Sequence, residues 1–167
     1  MGYLMRQIKR KVTDIVEIEK IIKECRVCRI AMCDDGKPYV VPMNFGYTLK
    51  DGMLTIYLHC AHEGRKAEIF KKNPAVCVEM DTEIEYKTDY DTACKNTCYF
   101  ASVIANGKIE EITGRAEKEA GLDILLNCII GAPPKGAHNY KASMVDRTAV
   151  YKIVSRDFTA KKYVPKP

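Results

Sequence analysis

In Leu58-His59-Cys60-Ala61-His62-Glu63-Gly64-Arg65-Lys66 a β-strand ends, a glycine frees the backbone, and a helix begins with two adjacent cations. The first N–H groups of a helix carry partial positive charge, so acids are favoured there and Arg65 and Lys66 are locally disfavoured. A phosphate reverses that balance, because the free N–H groups and both side chains then face negative charge, and arginine bonds an anion bidentately. Without an anion the two cations cost only about a few tenths of a kcal/mol under salt screening. The junction gains weight from its setting: it differs from a Walker loop, no G-x-G-x-x-G is present, and β-rich sequence surrounds it.

Working outward, Met53 to Cys60 alternates Leu54, Ile56 and Leu58 with Thr55 and Tyr57, the period of a half-buried strand. Upstream, an apolar strand over Val27 to Met32, turn chemistry at Asp34-Asp35-Gly36-Lys37-Pro38 and a β-rich run from Tyr39 to Leu49 predict a hairpin. Lys50-Asp51-Gly52 supplies the next turn. Pro42 cannot donate a ladder hydrogen bond, so it requires an edge, a bulge or a ligand, as in a split sheet. Asp14 and Glu17 read as a capping box before a helix to Glu24 with Ile15, Ile18 and Ile22 on one face.

Downstream, the helix from Gly64 stops at Asn73-Pro74 and a strand from Ala75 to Met80 follows. The acid-rich segment Asp81 to Lys95 reads as an exposed loop. Tyr99 to Ile112 resumes β character with a bulge or bend at Asn106-Gly107. Ala116 to Ile130 spaces Leu122, Leu125, Leu126 and Ile129 as a buried helical stripe, and Thr148 to Val154 closes the sheet.

A chain of 167 residues, 47% hydrophobic, fits one domain over 1–167, with a basic arm at 1–12, the acidic loop at 82–95 and a tail at 160–167. No run approaches the ~20 apolar residues of a membrane span, and the N-terminus lacks a signal-peptide pattern, so a cytoplasmic protein without membrane contact is expected. The net charge of +5 gathers only at Arg6 to Lys11 and Lys161 to Lys166, too short and too terminal for a nucleic-acid groove. Eight cysteines in a chain of this size suit reduced thiols. Cys25-x-x-Cys28 with Cys94-x-x-x-Cys98 raises a four-thiolate zinc site, but the spacing is loose, and Cys25 and Cys28 also read as small buried hydrophobes at a helix end and on a strand. No metal is expected.

Three stretches together carry a resemblance: Arg26-Val27-Cys28-Arg29-Ile30-Ala31-Met32, Gly36-Lys37-Pro38-Tyr39-Val40-Val41-Pro42-Met43-Asn44-Phe45-Gly46-Tyr47, and His59 to Lys66. They resemble the pyridoxamine-phosphate-oxidase-like FMN-binding split barrels, nearest the nitroimidazole-resistance (Nim-type) branch. Met5-Arg6 through Thr13-Asp14 and Ser102-Val103-Ile104 look like the same branch. The resemblance implies a mainly β fold with flanking helices, a six-stranded antiparallel split barrel, working as a homodimer with flavin at the subunit interface. It assigns Val41, Met43, Asn44 and Phe45 to the strand along the flavin ring and ribityl chain, His59, Cys60, Ala61, Arg65 and Lys66 to the phosphate, and Ser102 to a ring contact.

The cofactor implied is FMN, with FAD the alternative, and the activity is reduction of nitroaromatic or quinone-like molecules by hydride transfer through flavin N5. The alternative activity class is a non-enzymatic flavin-binding module for storage or sensing. His59 is the candidate proton donor, or else a phosphate or strand-end partner; His62 is expected to face solvent and His138 to lie in a loop. The chain departs from the B6 oxidases in ending Ala160-Lys161-Lys162-Tyr163-Val164-Pro165-Lys166-Pro167 rather than in an arginine-rich segment, which argues against a vitamin B6 role. It departs from the Nim-type pattern at Cys60, where serine is usual, and at Asn106, where glycine is usual.

Overall fold

A computed structural model describes residues 5–133 and 138–165. After a 3₁₀ turn at Ile8–Arg10 come β1 (Lys11–Val12), α1 (Ile15–Glu24), β2 (Cys28–Asp34), β3 (Lys37–Met43), β4 (Gly46–Lys50), β5 (Met53–Cys60) and α2 (Arg65–Lys72). The second half runs β6 (Ala75–Lys87), a 3₁₀ turn (Ala93–Lys95), β7 (Thr97–Ile112), α3 (Arg115–Ile130), α4 (Ala142–Asp146) and β8 (Ala149–Tyr163). One antiparallel sheet holds all the strands in the order β3-β2-β6-β7-β8-β5-β4, with β1 added to β8.

The two end strands of that order, β3 and β4, are consecutive in the chain and joined only by Asn44-Phe45. The sheet therefore curls back on itself and stays open between them, which makes it a split barrel. Pro42 sits on the end strand β3, opposite Arg29 of β2, where its missing N–H breaks no second ladder. The six strands expected become eight because the run from residue 37 to 50 divides at Asn44-Phe45, and because Lys11-Val12 of the basic arm pairs with Lys161 and Ala160.

Alternation fills the interior: Ile30, Leu54, Ile56, Leu58, Val78, Met80, Val103 and Ile153 have no exposed surface. Helix α1 covers this core with Ile18, Ile21 and Ile22, while Ile15 turns outward. Asp14 caps α1 by accepting from the Val16 amide at 3.1 Å. Glu17 does not complete a box; it engages Lys162 of β8, and that ammonium holds its carboxyl below the usual range. A charged partner on the adjacent strand outcompetes a neutral backbone N–H.

Helix α3 lies outside the barrel against β4, β5 and β8. Leu122 and Leu125 are buried, and Leu126 and Ile129 only half so. Its closest approach is over Gly46, where a side-chain Cβ would stand 2.6 Å from the Leu125 nitrogen and 2.8 Å from the Ile124 carbonyl carbon.

Two boundaries differ from expectation. Residues 82–87 of the acidic segment belong to β6, paired as far as Lys87 with Thr97. This end of the ribbon is solvated, so it lacks an apolar alternation, although Thr82, Ile84 and Tyr86 do alternate as β-formers. Likewise β8 runs past Val154 to Tyr163, so residues 160–163 are strand rather than tail. The interruption is a bend: Ser155 exchanges hydrogen bonds with Asp157, both 3.1 Å, opposite the register shift at Asn106/Lys108 where a bulge was expected.

Candidate functional site

Strand β5 turns its apolar residues inward and ends with His59 outward and Cys60 half-buried. Gly64 then adopts φ +111°, a conformation that disfavours any side chain, and precedes α2 with no side chain capping the helix. The first helical bond is Glu68 N–H to the Gly64 carbonyl at 3.2 Å. The amides of residues 65–67 thus begin α2 without a side-chain acceptor, the arrangement that suits an anion.

Arg65 is held in place from the β2–β3 hairpin. Its Nε donates to Asp34 Oδ2 at 3.2 Å and its guanidinium lies 4.2 Å from the centroid of the Tyr39 ring. These contacts use Nε and the flat face, and 53% of the side chain stays exposed. Lys66 is half-buried and its charge pulls the neighbouring Cys60 thiol down, against burial, which dominates and pushes it up.

His62, expected in solvent, keeps 41% of its side chain exposed and also makes two contacts that the sequence does not show. Its Nε2 lies 3.1 Å from the Asp146 carbonyl at the end of α4 and its Nδ1 3.4 Å from Glu111 Oε1 of β7. Its ring therefore ties the loop before α2 to two other elements. Neither partner is adjacent in sequence, so no local pattern marks them. The described His138 places Nε2 3.0 Å from Asn127 Oδ1.

Although His59 points outward and is exposed, the groups packed around its ring partly desolvate it and lower its pKa from 6.5, so the imidazole is neutral at neutral pH. The folded protein resists the proton that the unfolded chain accepts, so the stability contribution of His59 is intact above about pH 6.5 and declines as pH falls through that value. NMR titration is expected to place the His59 midpoint below 6.5, and His59→Gln to flatten the loss of stability between about pH 7.5 and pH 5.5. A midpoint at or above 6.5 contradicts the desolvation argument.

The other expected residues fall in two places. Val41 and Met43 are half-buried on the same face of β3 as Tyr39, and Phe45 is buried beyond them. Since Arg65 stacks on Tyr39, one face of β3 leads from the α2 terminus past Val41 to Met43, about 13 Å at ~3.3 Å per residue. Asn44 is exposed and its Nδ2 donates to the Arg26 carbonyl at 3.1 Å, fixing the passage between the end strands. Ser102 stands apart, half-buried on β7 between Asp81 and Lys161. Ala61 is exposed in the loop before α2. Asp34 and Tyr39, which orient Arg65, read in the sequence only as turn and strand residues.

Beside the Asn44-Phe45 passage lies a cavity of about 550 Å³ between α1 and the C-terminal end of α3, with Lys23, Arg26, Tyr47 and Cys128 among its walls. Burial pushes the Tyr47 phenol up to about 12. The paired cysteines do not assemble: among the described residues no three His, Cys, Asp or Glu are grouped to hold a metal. Cys25 and Cys28 are buried, and burial pushes both thiols up to about 12, against the thiolate that zinc requires. Among the described residues no helix is long and apolar enough to cross a membrane.

Residues 14–162 match the family model described as pyridoxamine 5′-phosphate oxidase. Among solved structures, a candidate 5-nitroimidazole antibiotic resistance protein from Bacteroides thetaiotaomicron is 33% identical over 90% of this chain and 85% of its own, with a TM-score of 0.74. A flavocytochrome from Azotobacter vinelandii superposes with a TM-score of 0.80 at 19% identity, covering 99% of this chain and 74% of its own. An FAD and heme binding protein from Mycobacterium smegmatis gives 0.81 at 14% identity over 95% and 75%. These last two share the fold. No curated protein matches the chain.

Proposed function

From the premise that this chain belongs to the pyridoxamine 5′-phosphate oxidase family, as its match over residues 14–162 shows, we propose that it binds FMN and works as a Nim-type reductase of nitroaromatic or quinone-like molecules. The observation that carries the reading is the α2 terminus: uncapped amides behind Gly64, with Arg65 set on Tyr39 by Asp34. In this reading Arg65, Lys66 and the amides of residues 65–67 hold the phosphate, with His59, Cys60 and Ala61 around it. Val41, Met43, Asn44 and Phe45 flank the ring, and Ser102 supplies a further contact.

When bound, the flavin supplies hydride transfer at N5, and the protein supplies position, electrostatics and exclusion of water. His59, neutral at neutral pH, is suited to hydrogen bonding rather than to carrying an extra proton. The likeness to the nitroimidazole resistance protein supports the choice of acceptor, and the ring site is proposed to lie between two copies of the chain.

The test begins with an absorption spectrum of the purified protein, expected to show flavin, and with the mass of the holoprotein, expected to be that of a dimer. Reduced flavin in the protein should be reoxidised by a nitro compound or a quinone under anaerobic conditions. Flavin that is reduced yet passes electrons to neither class removes the reductase reading and leaves a flavin-binding module. No flavin at any loading concentration removes both.

A further inference from the structure

The cavity between α1 and the end of α3 shares only Asn44 and Phe45 with the residues assigned to flavin, and is lined by none of His59, Cys60, Arg65 or Lys66. Its size, about 550 Å³, is that of a small-molecule site. Its floor is apolar and buried: Ile22 is fully covered and Phe45 is 4% exposed. Its walls carry three cations, Lys20, Lys23 and Arg26, against one acid, Glu19.

The C-terminal end of a helix favours cations, which accounts for a basic residue near the end of α1. It does not account for three cations around one apolar hollow. Lys20 is partly engaged by Glu17 at 3.6 Å. Among the described residues neither Lys23 nor Arg26 has an ion-pair partner, so their charge is available to a ligand. An aromatic floor beneath available cations, with the Asn44 amide on one side, complements a flat ring that carries a negative group.

We infer that this cavity is the substrate site and that it selects a planar aromatic compound bearing a carboxylate or similar anion, with the ring on Phe45 and the anion at Lys23 and Arg26. The assignment as a substrate site rests on the proposed flavin reading, because Asn44 and Phe45 are the residues common to both. The selection for an anion rests only on the cavity itself.

The experiment measures binding of 4-nitrobenzoate and of nitrobenzene to the full chain by calorimetry, with and without FMN. The unaltered protein is expected to bind 4-nitrobenzoate at least about 10-fold more tightly, and the preference should shrink as salt rises. In Lys23→Glu/Arg26→Glu the preference should be lost, with nitrobenzene affinity and FMN affinity unchanged. Both positions are exposed, and Lys23→Gln and Arg26→Gln, each expected to reduce the preference, serve if the reversal fails to fold.

Equal affinity for the two probes, binding of neither, or a preference that survives the substitutions overturns the inference. If the preference holds and FMN does not bind, the cavity is an anion-selective aromatic site and the flavin reading fails alone. If FMN binds and the preference is absent, the flavin reading stands and the cavity inference fails.

Discussion

Arg65→Ala is expected to weaken FMN binding by ~10-fold to ~100-fold, about 1.5–3 kcal/mol, while riboflavin affinity stays within about twofold. The magnitude follows from removing charge-assisted bonds at a helix terminus that cannot replace them. Lys66→Ala is expected to lose a comparable amount. The selectivity between the two flavins carries the test, since riboflavin has the same ring and ribityl chain and lacks only the phosphate. Equal losses for both would mean that Arg65 acts on the shape of the site and not on the anion.

The geometry adds a second arm to that prediction. Asp34 and Tyr39 orient Arg65 without standing at the helix terminus, so Asp34→Asn and Tyr39→Leu should each lower FMN affinity by a smaller factor and again spare riboflavin. Arg65→Lys is not a conservative replacement here, because an ammonium has neither the flat face for Tyr39 nor the fork for phosphate. The fold should tolerate all of these. Exposed ion pairs contribute only ~0–1 kcal/mol, and more than half of the Arg65 side chain lies in solvent.

Local patterns in the sequence located most of the elements and the uncapped strand-to-helix junction before α2, because those features are set by neighbours along the chain. Gly64 before Arg65-Lys66, the alternation of Leu54, Ile56 and Leu58, and Pro42 on an end strand are each legible within a few residues. What escaped depends on partners distant in sequence. Glu17 chose Lys162 over its own N-cap, His62 found Glu111 and Asp146, and β6 continued to Lys87 because β7 was there to pair with it. The division at Asn44-Phe45 was half visible, since Pro42 announced an edge but nothing local announced that the same run forms both edges. The cavity was not legible at all: its walls come from α1, the strand passage and the end of α3, and only folding brings them together.

Among the described glycines, Gly46→Ala is expected to be the most destabilising replacement by alanine, by about 3 kcal/mol, at the upper end of ordinary overpacking. The added Cβ would meet backbone, 2.6 Å from the Leu125 nitrogen and 2.8 Å from the Ile124 carbonyl carbon, and backbone cannot yield as a side-chain tip does. Relief requires α3 to lift from β4, which uncovers Leu125, now 1% exposed. At roughly 2–4 °C per kcal/mol for a chain of this size, the melting temperature should fall by about 6–12 °C. Gly36→Ala makes the contrast, because no atom stands within 4 Å of its Cβ and its cost comes only from φ +82°. Because the end of α3 walls the cavity, Gly46→Ala that still folds should lose affinity for 4-nitrobenzoate. A melting temperature within about 2 °C of the unaltered protein would show that α3 does not press on β4 as closely as the glycine requires.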